Sequence, residues 1–376
     1  MFKCDNFRTD LKSSWGDVVA PMAFDEGIFI QRVLQKIVSR ETLDKSEVFR
    51  VLEEIRDGRA TATQIGGFLI GLVMKGIHVE ELAAIAEWMR QNAIIVKPKV
   101  AGRLIDTCGT GGGLLTFNVS TANAIVAAAA GIPVAKHGSR SISHKSGSAD
   151  VLEALNININ LTKEQAEKLI EDVGFAFLYA PLFHPVMHKI LGPESELGVK
   201  TVFYTIIGPL ISPAHVKAHI LGVYKRELVE PVAKVLARLG YIRALVVHGI
   251  DGLDEISNIG LTIVAEVENG KLKDIYEVTP EEMGVQKASL KEIEPEVDDP
   301  KYNAEIIMKL FSGKLSGPKK DFLLVNTAGA LVVGGLAKNL KEGVEMARNI
   351  LAEGEAYRKL QEIIEASHKV IKDVES

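Results

Sequence analysis

The chain has 376 residues with 44 Lys and Arg against 49 Asp and Glu, so its formal net charge is −5 at pH 7. This balance gives nucleic acid no general electrostatic attraction, and a content of 47% hydrophobic and 25% charged residues excludes disordered and fibrous proteins. Because Cys4 and Cys108 are the only two cysteines, a disulfide framework and a cysteine zinc site are excluded, and we expect a protein of the reducing cytoplasm.

The first predicted elements form a helical layer. From residue 29 to residue 89 the apolar side chains recur at helical spacing. Within this stretch a helix is predicted at 45–56, with Thr42 and Asp44 as candidate N-caps and Gly58 just after its end. Residues 1–26 precede the layer and are treated as an N-terminal extension.

Neither a signal peptide nor a membrane span is expected. Residues 1–10 carry acidic side chains and lack an apolar core. The longest apolar stretches, around 124–135 and 331–337, fall short of the ~20 residues that a membrane-spanning helix needs.

After a linker predicted at 97–99, the pattern changes to strand, turn and helix units, which predict a mainly parallel sheet covered by helices. Strands are predicted at 103–106, 132–135, 201–207 and 244–248, a hairpin around Asn269-Gly270 at 264–278, and helices at 163–173, 185–197 and 338–374. The helical layer is therefore predicted to be discontinuous. We assign 27–97 and 162–200 to a small helical domain, and 101–161 and 201–376 to a larger α/β domain.

A glycine-rich loop, Gly109-Thr110-Gly111-Gly112-Gly113, follows the first predicted strand and precedes a helix that opens at Ser120-Thr121. Consecutive glycines let backbone N–H groups approach an anion, and the helix N-terminus adds positive potential. The spacing fits neither the dinucleotide-binding motif nor the P-loop. The loop therefore predicts a phosphate site, although a plain strand-to-helix turn is an equal alternative.

Cationic and hydroxyl side chains follow the next predicted strand. Lys136-His137-Gly138-Ser139-Arg140 ends that strand, and Lys145-Ser146-Gly147-Ser148 leads into another helix. Ligands of open α/β sheets bind at the carboxyl ends of strands, so two such clusters side by side predict a polyanionic ligand. The alternative is that Lys136 and Arg140 are ordinary solvated loop charges.

An acidic pair, Asp254-Glu255, lies in the loop that leaves the strand at 244–248, close to Asp251. Mg²⁺ binds through one or two carboxylates together with waters and substrate phosphates. The pair therefore indicates a magnesium site completed by a phosphorylated ligand. From this pair alone, the interpretation that Asp254 and Glu255 are simply two exposed acids of a loop is equally good.

These motifs together resemble the anthranilate phosphoribosyltransferase family. The resemblance covers the chain from about residue 29 to its end and excludes residues 1–26. It is carried by the motifs above and by Thr116-Phe117-Asn118-Val119-Ser120-Thr121-Ala122, Ser148-Ala149-Asp150-Val151-Leu152, His184-Pro185, Gly208-Pro209-Leu210 and Asp251-Gly252-Leu253-Asp254-Glu255-Ile256-Ser257.

The resemblance implies a fold of the nucleoside phosphorylase and class II phosphoribosyltransferase type, dimerising through its helical domain. It also implies Mg²⁺-dependent transfer of a phosphoribosyl group from phosphoribosyl pyrophosphate (PRPP) to an aromatic amine, with anthranilate as the default acceptor in tryptophan biosynthesis. The donor would be held by Gly109, Thr110, Gly111, Gly112, Thr116, Asn118, Ser120, Thr121, Lys136 and Ser148. Ser120, Asp254 and Glu255 would hold metal, Ser139, His184, Glu194 and Pro209 would face the acceptor, and Lys136 and His137 would be catalytic.

The chain departs from the family pattern in the glycine loop and on the acceptor side. The family's loop continues with Asp-Gly, whereas Gly113 stands here and the loop is one residue shorter, so a second metal-adjacent acid is missing. The family's Asn after Lys-His-Gly is Ser139, its Asn before Gly-Pro-Leu is Tyr204, and its carboxylate-binding Arg is Glu194. Losing such a clamp at a partly buried site costs on the order of 2 to 5 kcal/mol.

Four functional readings follow from these departures. The first is transfer to anthranilate through an unusual acceptor pocket, and the second is the same donor chemistry on another nitrogen acceptor. The third is a non-catalytic paralogue that binds nucleic acid, against which the net charge and the acidic pair both argue. A pyrimidine nucleoside phosphorylase is a weaker fourth reading. His137 could exchange a proton, but a strand-end histidine is at least as often a structural hydrogen-bonding residue.

Overall fold

The computed structural model describes residues 29–140 and 145–375, so the predicted extension at 1–26 lies outside the described residues. The chain begins with a layer of helices whose apolar faces pack together. These helices are α1 (Phe29–Val38), α2 (Lys45–Arg56), α3 (Ala62–Lys75) and α4 (Val79–Gln91). Helix α2 is capped by Asp44, which forms a capping box with Glu47, so Asp44 and not Thr42 is the cap.

Two buried carboxylates hold the loops of this layer in place. Glu54 accepts hydrogen bonds from the backbone N–H groups of Phe29 and Ile30 at 2.8 and 2.9 Å, which caps the start of α1. Glu81 pairs with Lys75 at 2.7 Å. Both charges are compensated by donors, so the cost of burying them is offset.

A seven-stranded sheet forms the second layer, with the order β3-β2-β1-β4-β5-β6-β7. The first five strands in this order run parallel, β6 is antiparallel to β5, and β7 is antiparallel to β6. The strands are β1 (Ile105–Asp106), β2 (Val134–Gly138), β3 (Phe175–Tyr179), β4 (Ala218–Gly222), β5 (Arg243–Gly249), β6 (Thr262–Glu268) and β7 (Lys271–Val278).

The remaining helices connect the strands of the sheet or follow its last strand. They are α5 (Val119–Ala129), α6 (Ser148–Ala154), α7 (Lys163–Val173), α8 (Ala180–Phe183), α9 (Met187–Leu197), α10 (Val202–Thr205), α11 (Ile207–Leu210), α12 (Val229–Arg238), α13 (Pro280–Met283), α14 (Leu290–Ile293), α15 (Pro300–Phe311), α16 (Pro318–Gly334), α17 (Leu340–Ala352) and α18 (Glu355–Glu375). Helix α16 packs against α5 and β4, and α12 packs against β5 and β6.

The predicted fold class, a helical domain with a mainly parallel α/β domain, is confirmed. Helix α9 packs against α2 and α3, whereas α7 packs against β3 and α18, on the sheet. The domain limits themselves stay a prediction. Within the described residues, no helix has the length and apolar character that crossing a membrane requires.

One predicted strand is wrong. Residues 201–207 form α10 and the start of α11, because the Thr201 side chain accepts a hydrogen bond from the Phe203 N–H and caps a helical turn. The β-branched residues here are buried against other elements and do not pair with a strand. The hairpin at 264–278 and the helices near 163–173, 185–197 and 338–374 are confirmed.

Candidate active site

A cavity of about 310 Å³ opens at the carboxyl ends of the parallel strands. Segments that lie far apart in the sequence meet there, because parallel strands all end at the same edge of a sheet. The predicted site residues that line it are Gly109, Thr110, Gly111, Gly112, Thr116, Asn118, Ser120, Lys136, His137, Ser139, Ser148, Pro209, Asp254 and Glu255.

The glycine loop is fixed to the end of β4. The Thr110 N–H donates to the Gly222 carbonyl at 2.9 Å, and the Thr110 hydroxyl accepts from the Tyr224 N–H at 3.0 Å. Gly111 and Gly112 have φ of 64° and 85°, the left-handed region that glycine adopts without strain. The loop therefore has a defined shape, and its backbone lines the cavity.

The start of α5 adds donors beside this loop. Asn118 is the N-cap residue, and its side chain is held by Ser146 and by Asn303, whose amide donates to it at 2.8 Å. Ser120 follows in the first turn and lines the cavity. A helix N-terminus next to a glycine loop is a favourable place for a phosphate group.

Lys136 is the buried cation of the site, with only 1% of its surface exposed. Its ammonium lies 3.4 Å from the hydroxyls of Thr107 and Ser120. Burial lowers the pKa of Lys136, and the nearby Asp106 partly offsets this effect. Two long contacts leave this ammonium with spare hydrogen-bonding capacity toward an anionic ligand.

Asp106, at the end of β1, holds the ends of two strands together. Its carboxylate accepts from the N–H groups of Thr107, Cys108 and His137 at 2.7, 3.0 and 3.1 Å. Burial raises the pKa of Asp106 to about 6, against the lowering effect of Lys136 and these donors. Asp106 carries no motif signal in the sequence apart from its place before the glycine loop, and it was therefore not predicted as a site residue.

His137 is buried and neutral at pH 7. Burial is the main cause that lowers its pKa to about 4, and Lys136 lowers it further. Its Nδ1 lies 3.1 Å from the Gly208 carbonyl and so donates to it, which leaves a lone pair on Nε2. Among the described residues this Nε2 has no hydrogen-bond partner.

The acidic pair lies at the β5 end of the cavity. Burial and the adjacent Asp254 raise the pKa of Glu255 well above its usual value, against a 3.2 Å hydrogen bond from the Thr116 hydroxyl. The second oxygen of Glu255 has no partner among the described residues. This donor set fits a Mg²⁺ ion that also binds phosphate oxygens. The described residues contain no group of three or more His, Cys, Asp and Glu arranged for metal.

Three of the predicted site residues do not line the cavity. Thr121 is buried within α5. His184 packs edge-on against His137, with ring centroids 5.1 Å apart, and so contacts the site through that residue. Glu194 is buried in α9, where one carboxylate oxygen accepts from the Thr201 N–H at 2.7 Å.

The β3 end of the cavity is lined by different chemistry. Ala180, Tyr204, Thr205, Gly208 and Pro209 contribute an aromatic ring, hydroxyls and apolar surface. Of these, Gly208 and Pro209 belong to a motif found in the sequence, and Tyr204 is one of the departures from the family pattern. Ala180 and Thr205 were missed because α8 and α10 are too short to be recognised from spacing.

A chain of buried side chains connects the helical layer to the glycine loop. Arg90 of α4 donates to the Tyr241 hydroxyl at 2.9 Å. The Tyr241 ring stacks on His219 of β4 at 6.2 Å, and His219 Nε2 lies 2.8 Å from the Cys108 carbonyl. Because a carbonyl only accepts, His219 is the donor of this last bond.

Comparison with known proteins agrees with this geometry. The glycosyl transferase family helical bundle domain matches residues 31–93, and the glycosyl transferase family a/b domain matches residues 101–357. An anthranilate phosphoribosyltransferase of Thermoanaerobacter sp. is 47% identical over 342 residues, which span 91% of this chain and 99% of the relative. The chain belongs to the anthranilate phosphoribosyltransferase family. It is accordingly a glycosyltransferase-type enzyme.

Further members of the anthranilate phosphoribosyltransferase family show the same likeness. The protein of Persephonella marina is 44% identical over 90% of this chain and 99% of its own length. The crystal structure from Thermus thermophilus has a TM-score of 0.83 and 38% identity, covering 89% of this chain and 99% of that one. A structure from Saccharomyces cerevisiae in complex with PRPP and Mg has a TM-score of 0.81 and 30% identity, covering 90% and 98%.

Proposed function

We propose that the protein transfers the phosphoribosyl group of PRPP to the nitrogen of an aromatic amine, with anthranilate as the first candidate acceptor and tryptophan biosynthesis as the setting. The observation that carries this proposal is the cavity in which a glycine loop, a buried lysine and an acidic pair meet. Such a cavity can hold a doubly phosphorylated sugar at one end and a small ring at the other. Membership of the family supports the same chemistry.

The donor occupies the side of the cavity formed by β1, β4 and β5. Backbone N–H groups of Gly109, Gly111 and Gly112, with the side chains of Thr110 and Asn118, bind the phosphates and ribose. Thr116, Ser120 and Ser148 provide further hydroxyls, and Lys136 provides the cation. Thr121 supports this wall from within α5.

The reaction forms a bond between the amine nitrogen and the anomeric carbon as the bond from that carbon to the pyrophosphate oxygen breaks. The electron pair of the broken bond leaves with pyrophosphate, and one amine proton passes to solvent. Charge develops on the leaving group, so Lys136 and the loop N–H groups lower the barrier by being already in place. His137, neutral at pH 7, orients Gly208 and the acceptor wall.

Asp254 and Glu255 are the residues that would hold Mg²⁺, with the Ser120 hydroxyl as a third predicted ligand. When bound, the ion would neutralise part of the pyrophosphate charge. Gly113 stands where the family pattern has an Asp, so this chain lacks a metal-adjacent acid that the pattern supplies. We therefore expect fewer protein ligands for metal than that pattern implies.

A second candidate is the same donor chemistry on another nitrogen acceptor. Tyr204 and Ser139 line the cavity in place of two family asparagines, and Glu194 takes the position of an arginine. These changes alter the acceptor end and leave the donor end intact. His184 and Pro209 complete that end, His184 through its contact with His137.

The decisive experiment measures pyrophosphate release from PRPP and Mg²⁺ in the presence and absence of anthranilate. Rapid release that depends on anthranilate would establish the first candidate. PRPP binding without such release would favour the second. The variants Lys136→Ala and Asp254→Ala should abolish turnover while circular dichroism stays native, and near wild-type rates in either would overturn the proposed site.

The quaternary structure and setting of the protein are part of the same proposal. We expect a cytoplasmic homodimer that associates through the helical domain. Val38 at the end of α1 is 84% exposed and Met74 at the end of α3 is 72% exposed, which is apolar surface that a partner copy could cover. Light scattering that gives the mass of one chain at micromolar concentration would contradict the dimer. The domain limits 27–97 with 162–200, and 101–161 with 201–376, remain part of this proposal.

A further inference from the structure

The side chain of Asn118 does not cap the helix that it begins. Asn118 is the N-cap residue of α5, a position where an asparagine oxygen normally accepts a hydrogen bond from the second or third N–H of the helix. Within the described residues its side chain makes no such bond. The side-chain oxygen accepts instead from the amide of Asn303 at 2.8 Å and from the Ser146 hydroxyl at 3.0 Å. The start of α5, beside the cavity, therefore lacks its usual cap.

Asn303 reaches this point from a helix that is remote in the sequence. It lies near the start of α15, 185 residues after Asn118, and only 1% of its surface is exposed. Its amide nitrogen donates to Asn118 and, at 2.9 Å, to the Ser146 hydroxyl. Asn118 and Ser146 line the cavity, whereas Asn303 is not among the described residues that line it. An effect of Asn303 on a ligand must therefore pass through these two residues.

The partners of Asn118 fix the direction in which its amide points. The side-chain nitrogen of Asn118 lies 3.1 Å from the Ser146 backbone carbonyl, which can only accept, so this end of the amide is the NH₂ group. The oxygen is then the end that receives the two bonds from Asn303 and Ser146. Both lone pairs of the oxygen are used, while the nitrogen keeps a second N–H. Because Asn118 lines the cavity, this N–H is available to an anionic oxygen there.

The other end of the Asn303 side chain supports this interpretation. Its oxygen is buried and has no hydrogen-bond partner in the described part of the chain. Burying an amide oxygen without a partner costs stability, so the packing of α15 alone does not account for an asparagine at this position. The two bonds that its nitrogen makes to the residues of the cavity do account for it.

We propose that Asn303 is a positioning residue for the phosphorylated donor. By holding the oxygen of Asn118, it keeps this oxygen away from the first turn of α5 and leaves the amide N–H to the cavity. A phosphate oxygen then takes the place of the cap and accepts from the amide and from the backbone N–H groups at the start of the helix. This inference rests on the proposed binding of PRPP and adds the residue that arranges one of its phosphate contacts.

The variant Asn303→Ala tests the proposal directly. Without the two bonds from Asn303, the Asn118 side chain is free to cap α5, and its oxygen competes with the phosphate. A hydrogen bond to a charged group is lost, so the Kd of PRPP at fixed Mg²⁺, measured by calorimetric titration, should rise about tenfold. Leu310→Ala is the matched control, because Leu310 is buried in the same helix about two turns further on. It should lower the urea midpoint and leave the Kd of PRPP unchanged.

A double-mutant cycle separates positioning from a general effect on the fold. If Asn303 acts through Asn118, then Asn303→Ala should change the Kd of PRPP by less than about twofold in an Asn118→Ala background. The same tenfold loss in both backgrounds would overturn the proposal, and so would an equal loss in Leu310→Ala. If Asn303→Ala does not fold, Asn303→Asp keeps the volume of the side chain and removes the donor, and it should weaken PRPP about tenfold as well.

The wild-type titration distinguishes failure of this inference from failure of the proposed function. If the wild type binds PRPP with Mg²⁺ and both Asn303 variants bind it equally tightly, this inference alone is wrong. If the wild type does not bind PRPP, the proposed function fails and this inference fails with it. No amine acceptor is needed in these titrations, so the identity of the acceptor does not affect the outcome.

Discussion

The backbone at the end of β4 approaches the acidic loop more closely than any side chain would permit. A Cβ atom added to Gly222 would lie 1.6 Å from the Asp254 carbonyl oxygen and 2.5 Å from its carbonyl carbon. Carbon atoms in contact are normally about 3.5 to 4.0 Å apart. In the variant Gly222→Ala the strand end and the acidic loop must therefore separate by roughly 2 Å.

Both atoms in this clash belong to the backbone, so no side-chain rotation relieves it. We expect Gly222→Ala to lower the free energy of unfolding by about 3 kcal/mol, at the upper end for overpacking. The shift also moves Asp254 and Glu255, and an error of about 1 Å in a catalytic group can cost roughly 100-fold in rate. Mg²⁺-dependent affinity for PRPP should therefore fall at least tenfold.

Urea unfolding followed by circular dichroism gives the stability, and calorimetric titration of PRPP at fixed Mg²⁺ gives the affinity. Gly192→Ala is the matched control, since a Cβ at Gly192 in α9 meets no atom within 4 Å. This control should stay within about 1 kcal/mol of wild type. If Gly222→Ala matches the wild type in stability and PRPP affinity, the role assigned to this close approach is wrong.

Three further predictions concern buried polar groups. Burial lowers the pKa of His219 to about 3, from 6.5 in the unfolded chain, so its stabilising contribution is present above pH 6.5 and is lost as the pH falls. Between pH 7.5 and pH 5 this one histidine should lower the free energy of unfolding by about 2 kcal/mol. In urea titrations the His219→Gln variant should lack this part of the acid-induced loss. Thr116→Val removes a hydrogen-bond donor to Glu255 and so raises the pKa of Glu255 further. When the pH is lowered, this variant should lose Mg²⁺-dependent PRPP binding at a higher pH than the wild type does. Arg90→Met breaks the bond to Tyr241 and should lower the free energy of unfolding by about 2 kcal/mol in urea titrations.

Each of these has a result that would contradict it. An unchanged loss of stability in acid for His219→Gln would show that other groups cause the loss. A wild-type binding profile in Thr116→Val would mean that the bond to Glu255 does not hold its pKa down. If Arg90→Met lowers the free energy of unfolding by the same amount in the Tyr241→Phe variant as in the wild type, the two side chains are not coupled.

The long helices and the hairpin could be predicted from the sequence, but two strands of the sheet could not. Strand β3, with the sequence FAFLY, is buried throughout and lacks alternation, so its pattern cannot be told from that of a buried helix. Strand β4 is short and fully buried as well. Residues 201–207 show the reverse error, since tertiary packing and the Thr201 cap overcome β-branched propensity.

The donor side of the site was predictable because glycines, hydroxyls and cations lie next to one another in the sequence. The acceptor side was not, because it depends on the direction in which single side chains point. Glu194 occupies a position where a ligand contact was expected, yet its carboxylate caps the Thr201 backbone and stays outside the cavity. The spacing of residues in the sequence does not show whether a side chain such as Glu194 binds a backbone group or a ligand.

The buried chain from Arg90 through Tyr241 and His219 to the Cys108 carbonyl has a thermodynamic consequence. It ties the helical layer, whose α4 packs on α11 at the acceptor end, to the first peptide of the loop that would receive the donor. If a ligand at one end orders this chain of side chains, the entropy cost of binding at the other end falls. Linkage makes this effect reciprocal, so PRPP should raise the affinity for the amine by the same factor by which the amine raises the affinity for PRPP.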